Sequence, residues 1–94
     1  MTFGIETLEA AHKRSGPNRD EVLASDVCGC FYCLATFPPA EIDTWLNDES
    51  YATCPKCSID SVIGNKSGYP VTDPIFLQAM YNHWFERTVH VENQ

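Results

Sequence analysis

Apolar residues recur along this chain in stretches with helical spacing, separated by short stretches that read as extended. Residues 3–14 place Ile5, Leu8 and His12 at i, i+3 and i+7, the spacing of one helix face. Glu6 and Glu9 suit the positive N-terminal half, Lys13 and Arg14 suit the other end, and Ser15-Gly16-Pro17 stops the helix. A further turn of helix is expected over 18–25, with Asn18 as its N-cap. From Asp26 the chain reads as extended through Val27 and Cys28, Gly29 allows a bend, and Leu34 to Phe37 is extended again. Pro38-Pro39 opens a helix over 40–46, with Ile42, Trp45 and Leu46 on one face and Glu41 and Asp43 near its positive end. Asn47 to Ser50 is a polar turn. Tyr51-Ala52-Thr53 and residues 58–63 read as short strands, and the run 61–64 is expected to pair with 51–53. Residues 64–68 form a loop of turn formers.

After extended Tyr69-Pro70-Val71, Thr72 is expected to N-cap a last helix over 72–87, with Asp73 and Pro74 in its first turn. Phe76, Leu77, Met80, Tyr81, Trp84 and Phe85 give it a wide apolar face, opposite Gln78, Asn82, Glu86 and Arg87. In a chain this small, that stripe reads as core rather than as a platform for a ligand or for bases.

Composition narrows the picture. The 94 residues fit a single domain over 1–94, with no internal repeat and no low-complexity tract. Thirteen acids against six Lys and Arg leave a formal charge of −7, so a phosphate-driven duplex nucleic-acid partner is not expected. No apolar run approaches the roughly 20 residues of a membrane span. The start of the chain, Met1 to Glu6, lacks the basic and apolar regions of a secretory signal, so a cytoplasmic protein is expected.

The five cysteines carry the most specific chemistry. Cys30-Phe31-Tyr32-Cys33 and Cys54-Pro55-Lys56-Cys57 are two Cys-x-x-Cys pairs, and the twenty residues between them match the spacing of a four-cysteine zinc site. Two intervening residues let the backbone turn so that both sulfurs face one centre, with turn amides free to donate to the thiolates. Two such knuckles supply four soft ligands to one structural Zn²⁺, which has no d-electron geometry preference. Pro55 pre-sets the second turn and Lys56 adds a positive charge beside it. Iron bound by four thiolates uses cysteine pairs as well. A thioredoxin-type pair is disfavoured because residues 58–63 read as extended rather than helical, and disulfides because no secretion signal is evident. Cys28 is left over and reads as a partly buried free thiol; a redox or nucleophilic role needs a base that no local pairing with His12, His83 or His90 supplies. His12 reads as a capping or packing residue, since four cysteines fill a tetrahedral shell.

Strand–knuckle–strand, short helix, strand–knuckle–strand gives the expected fold class. It is a small α+β zinc-binding domain with a zinc-ribbon-like core over 26–64, short antiparallel strands, and N-terminal, central and C-terminal helices. The chain resembles a group of small, uncharacterised bacterial cytoplasmic proteins through Cys28-Gly29-Cys30-Phe31-Tyr32-Cys33, Cys54-Pro55-Lys56-Cys57-Ser58-Ile59-Asp60-Ser61-Val62-Ile63-Gly64 and Ser67-Gly68-Tyr69-Pro70-Val71-Thr72. The resemblance implies a reduced, intracellular, metal-bound protein and brings no catalytic residue or substrate. Ser58 stands where many zinc knuckles place glycine.

The polar residues Asp60, Ser61, Asn65, Lys66, Ser67, Tyr69 and Thr72 read either as a recognition loop or as a solvated loop that caps neighbouring backbone. With no open metal position and no catalytic grouping, the expected function is a non-enzymatic zinc module that binds another protein. The alternatives are a nucleic-acid-associated ribbon, stacking single strands on Phe31 and Tyr32 beside Lys56 or mimicking an acidic groove, and a small enzyme or redox protein using Cys28.

Overall fold

The computed structural model describes residues 3–86. Its elements run α1 (Ile5–His12), α2 (Arg19–Leu23), β1 (Cys28–Cys30), β2 (Thr36–Phe37), β3 (Trp45–Leu46), β4 (Tyr51–Ala52), β5 (Val62–Gly64) and α3 (Pro74–Tyr81), with short 3-10 turns between several of them. It is a small α+β fold with three α-helices and short antiparallel strands.

Strand β1 is the centre of a three-stranded sheet in the order β2-β1-β5, antiparallel throughout. The register pairs Gly29 with Ile63 and Cys30 with Val62, so side chains alternate between the sheet's two faces. Ile63 joins Leu8, Ala11, Phe31, Val71, Phe76, Leu77 and Met80 in one cluster. Val62, Cys28 and Cys30 join Val22, Phe37, Ile42, Ala52 and Cys54 in another. Both faces are therefore covered, which is why every residue of β1 and β5 is buried. Gly29 is required by this arrangement. A Cβ there would collide with the backbone carbonyl of Val71, which crosses directly over β1.

Helix α1 buries Leu8 and Ala11 and continues as a 3-10 turn over Lys13–Ser15; Ile5, expected on the inner face, is 62% exposed. Asn18 precedes α2 but makes no side-chain cap bond. Its buried amide instead donates to the carbonyls of Arg14 and Val62, each at 2.8 Å, and its oxygen accepts from the Ala52 amide at 3.2 Å. One side chain thus ties the end of the first helical segment to both sheets.

The central helix expected over 40–46 does not form. A 3-10 turn covers Pro39–Glu41, Ile42 is extended, and Trp45–Leu46 is strand β3, paired with β4 through Trp45–Ala52 and Leu46–Tyr51. Asn47, Asp48 and Glu49 take φ values of +51°, +58° and +66°, turning the chain back. Ile42 is buried but Leu46 is 43% exposed, so the apolar spacing is not used as a helix face. Tertiary bonds favour the hairpin: the Asn18 and Arg19 amides donate to the Ser50 carbonyl at 2.8 and 3.2 Å, and the Arg19 guanidinium lies 4.6 Å above the Trp45 ring. With β4 taken by β3, the run 61–64 pairs with β1 rather than with 51–53.

Residues expected as a loose loop at 64–68 contain a 3-10 turn, Asn65–Ser67, closed by Gly68 at φ +91°. The last helix begins one residue later than expected. Asp73, not Thr72, is the N-cap and accepts from the Ile75 amide at 2.9 Å, and Pro74 takes the first helical position. Phe76, Leu77 and Met80 are buried as expected, and a π-helical turn, Asn82–Glu86, follows. The Trp84 indole nitrogen donates to the Leu8 carbonyl at 3.3 Å, fastening this end to α1. Arg87 and His90 lie outside the described residues. Among the described residues, no helix is long and apolar enough to cross a membrane.

Candidate metal centre

The two Cys-x-x-Cys turns are built alike. In the first, the Cys30 amide donates to the Ala35 carbonyl at 2.9 Å and the Leu34 amide returns to the Cys30 carbonyl at 2.9 Å. In the second, Cys54 donates to Ile59 at 2.9 Å and Ser58 to Cys54 at 2.8 Å. The amide two residues after each first cysteine points at its sulfur: Tyr32 to Cys30 Sγ at 3.4 Å, Lys56 to Cys54 Sγ at 3.3 Å. Leu34 and Ser58, each following a second cysteine, have φ of +68° and +72°. The left-handed residue closes the turn and aims both sulfurs the same way, a geometry that costs side-chain-bearing residues strain.

These turns bring Cys30, Cys33, Cys54 and Cys57 together with all four sulfurs within 4.8 Å of one another. The cross-turn pairs Cys30–Cys57 and Cys33–Cys54 each stand 3.6 Å apart. A tetrahedral ion with bonds of about 2.3 Å needs ligand sulfurs about 3.8 Å apart, so the cluster has the size and the donor set to hold one metal ion. Cys30 and Cys54 are buried, Cys57 is half-buried and Cys33 is exposed, so the centre lies just beneath the surface.

The sulfurs are electrostatically unequal. Burial acts to raise the Cys30 thiol, but a bond from Ser61 and the amides of Cys33 and Tyr32 outweigh it and hold its pKa below the ordinary value. Burial dominates at Cys54 and Cys57 and pushes both upward, against bonds from the amides that follow them. The Ser61 contribution is one that sequence reasoning missed. Its buried hydroxyl sits 3.1 Å from Cys30 Sγ, because the Cys30–Val62 register continues with the Phe31 amide on the Ser61 carbonyl at 3.0 Å. Thirty-one residues separate the two, and no local spacing signals the contact.

The remaining predicted residues fall elsewhere. Cys28 is fully buried on β1 and outside the sulfur cluster, with burial raising its thiol to about 11. The His12 ring lies 4.0 Å from the Trp84 ring, tilted by 30°. Burial holds its imidazole below the ordinary value, with Asp60 opposing and the neighbouring His83 reinforcing the shift. Phe31, expected to be available for stacking, is 1% exposed and belongs to the core, whereas Tyr32 is 42% exposed beside Phe85 and Tyr81. Lys56 pairs with Glu41 at 3.5 Å. In the 60–72 segment, Asn65 accepts from the Asp26 amide at 3.0 Å, Ser67 donates to the Gly64 carbonyl at 2.7 Å, and Tyr69 stacks on Phe76. Asn65 and Ser67 thus brace the backbone.

Compared with known protein families, curated proteins and solved structures, the chain matches none.

Proposed function

We propose that this protein is a non-enzymatic structural-zinc module of zinc-ribbon type, in which Cys30, Cys33, Cys54 and Cys57 hold one Zn²⁺ and the organised surface binds another protein in the cytoplasm. The observation that carries the metal reading is the pair of matching turns converging four sulfurs within 4.8 Å. Four thiolates fill a tetrahedral shell and leave no position for an activated water, which favours a structural over a catalytic role. Zinc is preferred to iron for its indifference to ligand-field geometry and its prevalence in four-cysteine structural sites. Four thiolates with one Zn²⁺ add two negative charges to the formal −7, which weighs against phosphate-rich partners and favours a protein with a basic face. The exposed Tyr32, backed by Phe85 at 4.8 Å and Tyr81 at 6.0 Å, is the anchor assigned to that contact.

Elemental analysis of protein purified without added metal tests the reading: one zinc per chain is expected, and its absence from protein that remains folded refutes the structural role. Cys30→Ser is expected to abolish stoichiometric zinc, whereas Cys28→Ser keeps it. Affinity capture with the parent chain and with Tyr32→Ser then addresses the partner; a protein retained equally by both removes Tyr32 from the interface.

A further inference from the structure

A cleft of about 400 Å³ opens between the end of α1 and the segment that follows the second cysteine turn. That volume is within the range of small-molecule sites. One end is aromatic: the Phe31 ring lies 5.9 Å from both His12 and Phe85. Lys13, Tyr51 and Asp60 line the rest. Arg14, Arg19 and Lys56 are ion-paired to Glu21, Glu49 and Glu41, whereas neither Lys13 nor Asp60 has an ion-pair partner among the described residues. The lining thus carries one base and one acid that do not pair with each other, beside aromatic rings that meet at tilted angles.

We propose that this cleft binds a compact aromatic zwitterion, such as an aromatic α-amino acid or a short peptide that begins with one. The ligand ring packs against the half-buried Phe85, which the buried Phe31 backs at 5.9 Å, its ammonium faces the Asp60 carboxylate, and its carboxylate faces the Lys13 ammonium. Apolar burial of the ring supplies affinity, and the two charges set orientation. A neutral aromatic leaves both wall charges unanswered, and a purely anionic or cationic one meets a like charge on one side.

Calorimetric titration of the full, metal-loaded chain tests this, with metal content measured on the same sample so that loss of the cysteine centre is recognised separately. L-phenylalanine is expected to bind saturably. N-acetyl-L-phenylalanine, which lacks the ammonium, and L-phenylalaninamide, which lacks the carboxylate, are each expected to bind about fivefold more weakly. Lys13→Gln should erase the penalty on the amide while keeping the one on the acetyl compound, and Asp60→Asn should do the reverse. Both positions are exposed, so both variants should keep the parent thermal transition. Phenylalanyl-glycine distinguishes the two sources: binding comparable to phenylalanine assigns a peptide start, and marked loss assigns the free amino acid. No saturable phenylalanine binding, or analogue penalties unchanged in both variants, overturns the proposal.

Discussion

Leu34 and Ser58 show how much a single backbone angle decides here, since each closes a cysteine turn at positive φ. Ser58 is exposed at φ +72°, so its side chain brings no burial to set against the strain. Ser58→Gly is expected to stabilise the fold by about 1 kcal/mol, read as a higher denaturation midpoint at unchanged metal content. Leu34 differs because it packs against the core, and glycine there trades strain for lost burial. His12 offers a second test at this scale. Its folded pKa lies below the ordinary 6.5, so the unfolded chain takes up the proton first. The stability that neutral His12 contributes is present above 6.5 and is lost as pH falls through its lower folded pKa. Titration of the His12 ring signals by NMR should show the depressed value, and Asp60→Asn should depress it further by removing the charge that opposes the shift.

Between elements, Asn18 does more than its sequence position announces. An N-cap accepts bonds, and Asp serves there as well as Asn. The side chain in this fold donates to two carbonyls, Arg14 and Val62, while buried. Asn18→Asp would set a carboxylate against those carbonyls and is expected to cost about 3 kcal/mol or more, measured by chemical denaturation. A neutral outcome would restore the capping role. Gly29 is similar in kind: the strand was legible from its neighbours, but the crossing of Val71 over it was not. The missed central helix has the same origin. Ile42, Trp45 and Leu46 have helical spacing, yet the bonds that decide the segment reach to Asn18, Arg19 and the paired strand β4.

For the whole molecule, the candidate metal centre lies where the two sheets and the second core cluster meet. Cys30 and Cys54 belong to that cluster together with Val22, Phe37, Ile42, Ala52 and Val62. Without an ion, four sulfurs would be crowded together at the edge of a small core, two of them on buried cysteines. Comparable small sites supply about 10–16 kcal/mol on binding, as much as the whole stability of an ordinary domain. A strong chelator is therefore expected to abolish the cooperative thermal transition, and added Zn²⁺ to restore it, followed by circular dichroism. A transition unchanged by complete metal removal would show that the two apolar clusters suffice alone.

The sequence by itself determined what depends on neighbours within a few residues: the two Cys-x-x-Cys turns, the stop of the first helical segment before Gly16, the apolar face of α3 at Phe76, Leu77 and Met80, and Cys28 standing apart. Each rests on local dihedral preference, helical periodicity or ligand spacing, which are written into adjacent positions. Tertiary structure alone decided that β5 joins β1, that 45–46 is a strand, that Ser61 bonds Cys30, and that Asn18 is a bridge. Apart from the strand at 45–46, which pairs with nearby β4 and is held by Asn18 and Arg19, those outcomes turn on partners 31 to 44 residues away, and which distant group satisfies a buried amide or carbonyl is settled only when the chain closes on itself.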